Sequence, residues 1–150
     1  MGSLKTRLRA DLVVALRAKD EAAKTNIRLT LGAIQVEEVA GESARELSDA
    51  EELAVVQREV RKRRDSAEAY AAGGRPDLAA KETAEADWLS RYLPAALTED
   101  EVRAIVDEEV ARVEGASMKQ MGQIVKAVNA RVAGRAEGKL VATLVRAALT

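Results

Sequence analysis

Hydrophobic residues recur every three or four positions along most of the chain, which is the repeat of an amphipathic α-helix. The first such stripe contains Leu4, Leu8 and Leu12, and most charged residues of this segment lie off it. A second stripe runs from Ile27 to Val39. An aspartate at position 20 separates the two stripes as a helix cap or a break, so the pattern predicts either two helices or one bent helix.

Capping signals predict the next two helices. Ser48 followed by Glu51 is a capping box, in which the hydroxyl and the carboxylate each accept a hydrogen bond from the backbone of the other residue. The helical pattern then continues to Tyr70, and the glycines at 73–74 stop it. Pro76 fits the first turn of a fourth helix, where its missing N–H costs nothing.

A proline marks the change to shorter segments. Pro94 disfavours helical geometry at the residue before it, so the stretch 94–97 is the predicted domain boundary. Three short amphipathic segments follow, and two of them open with capping-box patterns: Thr98 with Glu101, and Ser117 with Gln120. We therefore predict an all-α protein, with an N-terminal domain of long helices at 1–94 and a small C-terminal three-helix domain at 98–150.

Composition supports helices and excludes several kinds of chemistry. Charged residues make up 33% of the chain and aromatic residues 2%, a balance typical of long helices. The chain has no Cys and no His, which excludes disulfides, imidazole proton transfer and the common zinc sites. No nucleophile, base and oxyanion donor occur together in a recognisable pattern. We predict no catalytic residue, no metal and no cofactor.

The sequence predicts neither a membrane-spanning helix nor a secretory signal. No apolar stretch approaches the roughly 20 residues that a membrane-spanning helix requires. The first residues are amphipathic and contain arginine, unlike the apolar core of a secretory signal. We therefore expect a cytosolic protein without a membrane segment.

The net charge of −1 conceals segments of opposite sign. The range 58–64 contains five basic residues and one acidic residue, whereas 98–114 contains seven acidic and two basic residues. From 117 to 150 there are six basic residues and one acidic residue. Such a basic segment is a candidate surface for nucleic-acid phosphates. The candidate nucleic-acid-binding residues are Lys119, Lys126, Arg131, Arg135 and Lys139.

A glycine-containing turn lies within this basic segment. The turn at 134–140 lacks the glycine spacing and the hydroxyl residue of a phosphate-binding P-loop. It nevertheless precedes a helix and is flanked by Arg135 and Lys139, so its free amides could meet an anion. That anion is either an RNA phosphate or the carboxylate of Glu137, capping the helix. We expect the adjacent acids Glu108 and Glu109 to be solvated, because neighbours on a helix diverge by about 100°.

One charged residue, Arg63, lies close to the centre of the apolar face of the third helix. Two arrangements are open: the side chain extends along that face to water, or it forms a bidentate ion pair with an acid of the fourth helix. The candidate acids are Glu82, Glu85 and Asp87. The surrounding basic run is either an anion-binding patch or a solvated face paired one turn further on, Arg61 with Asp65 and Arg64 with Glu68.

Two separated stretches carry a family resemblance. The first is KRRDSAEAYAAGGRPDLAAKE at 62–82, followed by RYLP at 91–94. The second is MGQIVK at 121–126 with GRAEGKLV at 134–141. In these motifs the chain resembles the YqeY-like proteins of the GatB/YqeY family, and the resemblance extends over essentially the whole chain.

The resemblance implies a function as well as a fold. The C-terminal domain is similar to the tail of the B subunit of the glutamine-dependent tRNA amidotransferase, which helps to hold aminoacyl-tRNA while other domains catalyse. It therefore implies a non-catalytic helical module that binds tRNA or a tRNA-processing protein. One alternative is a protein-interaction module that docks through its N-terminal helices.

A second alternative is a component of a glutamine-dependent carbon–nitrogen ligase, the tRNA amidotransferase. Proteins of this family often carry the label of a carbon–nitrogen ligase with glutamine as amide donor. The residues of this chain give that label no support, because no active-site pattern is visible.

Overall fold

The computed structural model describes residues 2–150. This part of the chain folds into α-helices and contains no strand, so the all-α prediction is confirmed. The helices are α1 (Ser3–Ala18), α2 (Glu21–Glu38), α3 (Asp49–Ala72), α4 (Pro76–Leu89), α5 (Glu99–Ala111), α6 (Met121–Val132) and α7 (Gly138–Leu149). Short 3-10 turns occupy Ser90–Tyr92 and Met118–Gln120. The chain forms two compact units, Met1–Leu93 and Pro94–Thr150.

The first two stripes form two helices. Lys19 ends α1 in the left-handed region, with φ 56°. The Asp20 carboxylate then caps α2 by accepting a hydrogen bond from the backbone N–H of Ala23 at 3.1 Å. The reversal at Lys19 and the cap at Asp20 together separate the helices, as N-cap carboxylates commonly do.

Both signals predicted for α3 are present. The Ser48 hydroxyl accepts from the N–H of Glu51, and the Glu51 carboxylate accepts from the N–H of Ser48 at 2.8 Å. The helix ends at Ala72, and Gly74 has φ 76°, a conformation that glycine adopts without strain. Tyr70, the last residue of the predicted helical pattern, is exposed because it lies in the last turns beyond the buried part of α3.

Helix α1 receives its N-terminal cap from another helix. Its N-cap residue is Gly2, which has no side chain to accept a hydrogen bond. Asp49 at the start of α3 accepts from the N–H of Ser3 at 2.8 Å, and Glu52 accepts from the N–H of Lys5 at 3.2 Å. A Cβ on Gly2 would collide with the Glu52 carboxyl group. The first turn of α3 therefore fixes the start of α1.

Each unit has its own apolar core. In the N-terminal unit the core contains Ile27, Ile34, Leu89 and Tyr92. The hydroxyl of Tyr92 donates a hydrogen bond to Asp11 at 2.6 Å. Burial and this hydrogen bond raise the pKa of Tyr92. In the C-terminal unit the core is built from the inward faces of α5, α6 and α7: Val102, Val106, Ile124, Val128, Val132, Val141, Leu144 and Val145.

Candidate nucleic-acid interface

The basic residues of the C-terminal unit have different surroundings. Arg131 extends from α6 to α5, where Nη2 lies 2.7 Å from Glu108 Oε2 and Nη1 lies 3.2 Å from Glu109 Oε1. The hydrogen bond to Glu108 is the main cause that raises the pKa of Arg131. Glu109 is buried rather than solvated, and Arg112 also contacts it at 3.2 Å. Arg131 thus forms partly exposed ion pairs with two acids of α5.

Arg135 holds the start of the C-terminal unit in place. Its Nε donates to the carbonyl of Ala95 at 2.9 Å, and its own carbonyl accepts from the N–H of Leu97 at 2.8 Å. These bonds fix the segment that follows Pro94 against the turn at Gly134. Arg135 is exposed, so its guanidinium remains accessible from solvent even though one N–H is used.

The three lysines differ from the two arginines. Lys119, Lys126 and Lys139 are exposed, and none of them forms an ion pair with any residue in the range 2–150. Lys126 lies on the outer face of α6, five residues before Arg131 and therefore about 140° around the helix from it. Lys126 and Arg131 accordingly do not share one face of α6.

Arg146 of α7 is a further basic residue that is not among the five predicted candidates. It lies seven residues after Lys139, which places both side chains on the exposed face opposite Val141 and Val145. The spacing of seven residues between these two cations is visible in the sequence, and it is the signal that identifies Arg146 as a further candidate. Helix α7 thus presents two cations on one face.

The N-terminus of α7 adds free backbone amides to this surface. Glu137 is the N-cap residue, and its side chain makes no capping hydrogen bond. Gly138 is the first residue of α7, and a Cβ built on it would meet no atom within 4 Å. The helix dipole and uncapped N–H groups here favour an anion, with Lys139 in the same turn.

Arg63 in the N-terminal unit is 6% exposed and forms ion pairs on two helices. Its Nη1 lies 3.1 Å from Glu59 Oε2 of its own helix, and its Nε lies 3.6 Å from Glu85 Oε2 of α4. The expected pair was bidentate and reached only the fourth helix. The observed pair differs because Glu59, one turn earlier on α3, takes both hydrogen bonds that Arg63 donates.

The neighbouring basic residues do not pair along their own helix as expected. Arg64 contacts Asp87 of α4 at 3.2 Å rather than Glu68, and Arg58 contacts Glu37 of α2 at 3.0 Å. The acids of the neighbouring helices are within reach because α3 packs against both α2 and α4. Within the part of the chain that the structure describes, no group of three acidic side chains is arranged to hold a metal ion. No helix described there is long and apolar enough to span a bilayer.

Comparison with known proteins decides the family. The family model described as Yqey-like protein matches residues 5–149. The chain belongs to the YqeY-like family. In Saccharomyces cerevisiae strains YJM789, Lalvin EC1118 and S288c, a relative named "Altered inheritance of mitochondria protein 41, mitochondrial" is 34% identical over 118 residues. The match covers 77% of this YqeY-like chain and 61% of the yeast protein, so the chain spans about three fifths of these relatives.

The yeast relatives correct one expectation. Their name assigns them to mitochondria, and this contradicts the cytosolic location expected for the YqeY-like chain. That expectation is wrong, because the patterns on which it rested, the apolar core of a secretory signal and a membrane-spanning stretch, do not distinguish the cytosol from an organelle interior. Neither the family description nor the name of these relatives states a catalytic activity.

Proposed function

We propose that this YqeY-like protein is a non-catalytic helical module whose C-terminal unit binds tRNA. The observation that carries the proposal is the set of exposed lysines, Lys119, Lys126 and Lys139, which have no ion pair within residues 2–150. An unpaired lysine releases counterions when it meets a phosphate, whereas a paired arginine must first give up its carboxylate. The lysines are therefore the principal contacts.

The turn before α7 adds a second feature that suits phosphate. Lys139 stands in the first turn of α7, beside the uncapped amides that follow Glu137, and Arg146 extends this face along the helix. Phosphate oxygens accept hydrogen bonds from helix N-terminal amides and lysines alike. The surface recognises a backbone rather than bases, because it offers charges and amides without an aromatic side chain for stacking.

The resemblance to the amidotransferase tail supports tRNA as the RNA class. That tail holds aminoacyl-tRNA while chemistry takes place in other domains, which agrees with a chain that carries no visible active site. The alternative within this proposal is binding to a tRNA-processing protein, which does not require direct contact with RNA. Because the yeast relatives are named as mitochondrial, mitochondrial tRNA belongs in the test.

The experiment is a titration of fluorescently labelled tRNA with the full chain at low salt, followed by anisotropy. Lys126→Ala combined with Lys139→Ala is expected to weaken binding by about tenfold, since each phosphate contact contributes comparably. Lys81→Ala is the matched control, because Lys81 is an exposed lysine of α4 in the N-terminal unit. Absence of binding at low salt, or equal affinities of the double variant and the control, would overturn the proposal.

A further inference from the structure

The N-terminal unit contains a groove formed by three helices. The groove has a volume of about 470 Å³ and is lined by residues of α2, α3 and α4. Grooves between helices are common binding sites for apolar segments of other molecules. None of its residues belongs to the proposed tRNA surface, which lies in the other unit.

One wall of the groove is an apolar stripe on α2. Leu29, Ala33 and Val36 follow one another at intervals of four and three residues, so they lie on one face of the helix. Leu29 is 54% exposed and Val36 is 66% exposed. The stripe is about 10 Å long at 1.5 Å per residue. Apolar anchors with this spacing are typical of surfaces that bind an amphipathic helix.

The groove has charges of opposite sign on its other sides. Arg58 and Lys62 stand one turn apart on α3, and Lys62 has no ion-pair partner in the described chain. Glu82 of α4 also lines the groove and is likewise unpaired within residues 2–150. An occupant with a carboxylate near Lys62 and a cation near Glu82 would neutralise both.

Arg63 on the floor of the groove has unused hydrogen-bonding capacity. Both of its hydrogen bonds use Nη1, whereas its buried Nε forms no hydrogen bond and has only the ion pair with Glu85 at 3.6 Å. Buried donors without a hydrogen bond are rare in folded proteins. The floor of the groove is thus polar and incompletely satisfied, whereas its α2 wall is apolar.

We propose that this groove binds an amphipathic helix of a partner protein. The apolar face of that helix covers Leu29, Ala33 and Val36, one of its carboxylates meets Lys62, and a basic side chain meets Glu82. A helix suits the stripe better than a compact small molecule, because the exposed wall extends over two helical turns without an enclosing roof. The charges on both sides determine which helices fit.

A displayed peptide library tests the proposal. Helical peptides of about 18 residues, with fixed leucines at intervals of four and three and randomised charges elsewhere, are sorted against the full chain. Enriched peptides are expected to lose more than about tenfold in affinity when Leu29→Ser and Val36→Ser are combined. The matched control is Val14→Ser, because Val14 is 65% exposed on α1 and does not line the groove.

The same peptides also test the role of the charged residues in the groove. Lys62→Glu is expected to weaken binding severalfold, and changing the facing carboxylate of the peptide to lysine is expected to restore it. The proposal is overturned if no peptide is enriched, or if enriched peptides bind the Leu29→Ser and Val36→Ser variant as they bind the control. It is also overturned if sedimentation shows that the chain dimerises through this face and that Val36→Ser abolishes the dimer.

Discussion

Arg131 of α6 and Glu109 of α5 form an ion pair in the C-terminal unit, with Nη1 3.2 Å from Oε1. Glu109 is buried, and its carboxylate is also contacted by Arg112. The pair means that a basic residue in a basic segment is already neutralised by an acidic helix. A count of charges along the sequence therefore overstates the surface available to phosphate.

The first prediction separates this ion pair from RNA binding. Arg131→Ala is expected to lower the stability of the C-terminal unit only slightly, because the pair is partly exposed and Arg112 still contacts Glu109. The affinity for tRNA is expected to stay within about twofold. Amide hydrogen exchange of α5 and α6 measures the stability, and anisotropy measures the affinity. A large loss of affinity with unchanged exchange would contradict this role for Arg131.

The second prediction concerns the cap that α3 provides for α1. Glu52→Ala removes the acceptor for the Lys5 N–H and is expected to lower the free energy of unfolding by about 1–2 kcal/mol. Urea denaturation followed by the fluorescence of Trp88, the single tryptophan, reports on the N-terminal unit. Glu68→Ala, at an exposed glutamate of the same helix, is the control. Equal midpoints for the two variants would show that Glu52 does not cap α1.

The third prediction is a pH dependence at the start of α3. Hydrogen bonds from Arg45 and from the backbone of Ser48 lower the pKa of Glu51 from 4.5 to about 2. The unfolded chain therefore binds more protons than the folded chain between these values, so the contribution of Glu51 is complete above pH 4.5 and disappears towards pH 2.

Glu51→Gln tests this dependence, because glutamine keeps the capping-box hydrogen bond but carries no charge. Wild type should be the more stable protein at neutral pH, and the difference should close as the pH falls from 4.5 to 2. Urea midpoints measured across this range check the expectation. A difference that stays constant with pH would mean that the charge of Glu51 does not contribute.

Local signals explain why the helix boundaries could be predicted. The capping box at Ser48, the cap at Asp20 and the proline at position 76 each act within one turn, and all three lie where the helices start in the structure. The box at Ser117 is also present, although it opens a 3-10 turn before α6 begins. Such signals are readable because both partners are three or four residues apart.

Interactions between helices could not be predicted in the same way. Glu52 is buried because it caps a helix 47 residues away, and Glu109 is buried because Arg131 reaches it from α6. Their spacing places both glutamates on the apolar faces of their helices, four residues before Val56 and three residues after Val106, but it does not reveal the partner that each one reaches. Arg63 was recognisable as a charge on an apolar face, but the choice between Glu59 and Glu85 depends on packing.

The same difficulty with interactions between helices affected the prediction of the basic site in the C-terminal unit. The sequence located the basic segment and the glycine turn before α7, but it could not separate free lysines from committed arginines. It also passed over Arg146, which shares a face with Lys139. Ion pairing across helices, rather than residue type, determines which of these cations can meet a ligand.

The most direct test of the central claim is the salt dependence of tRNA binding. For the full chain, the logarithm of the affinity is expected to fall linearly with the logarithm of the salt concentration. Lys126→Ala combined with Lys139→Ala should reduce the magnitude of this slope by about 2, one for each lost phosphate contact, while Lys81→Ala should leave it unchanged. An unchanged slope in the double variant would contradict the assignment of tRNA binding to these lysines.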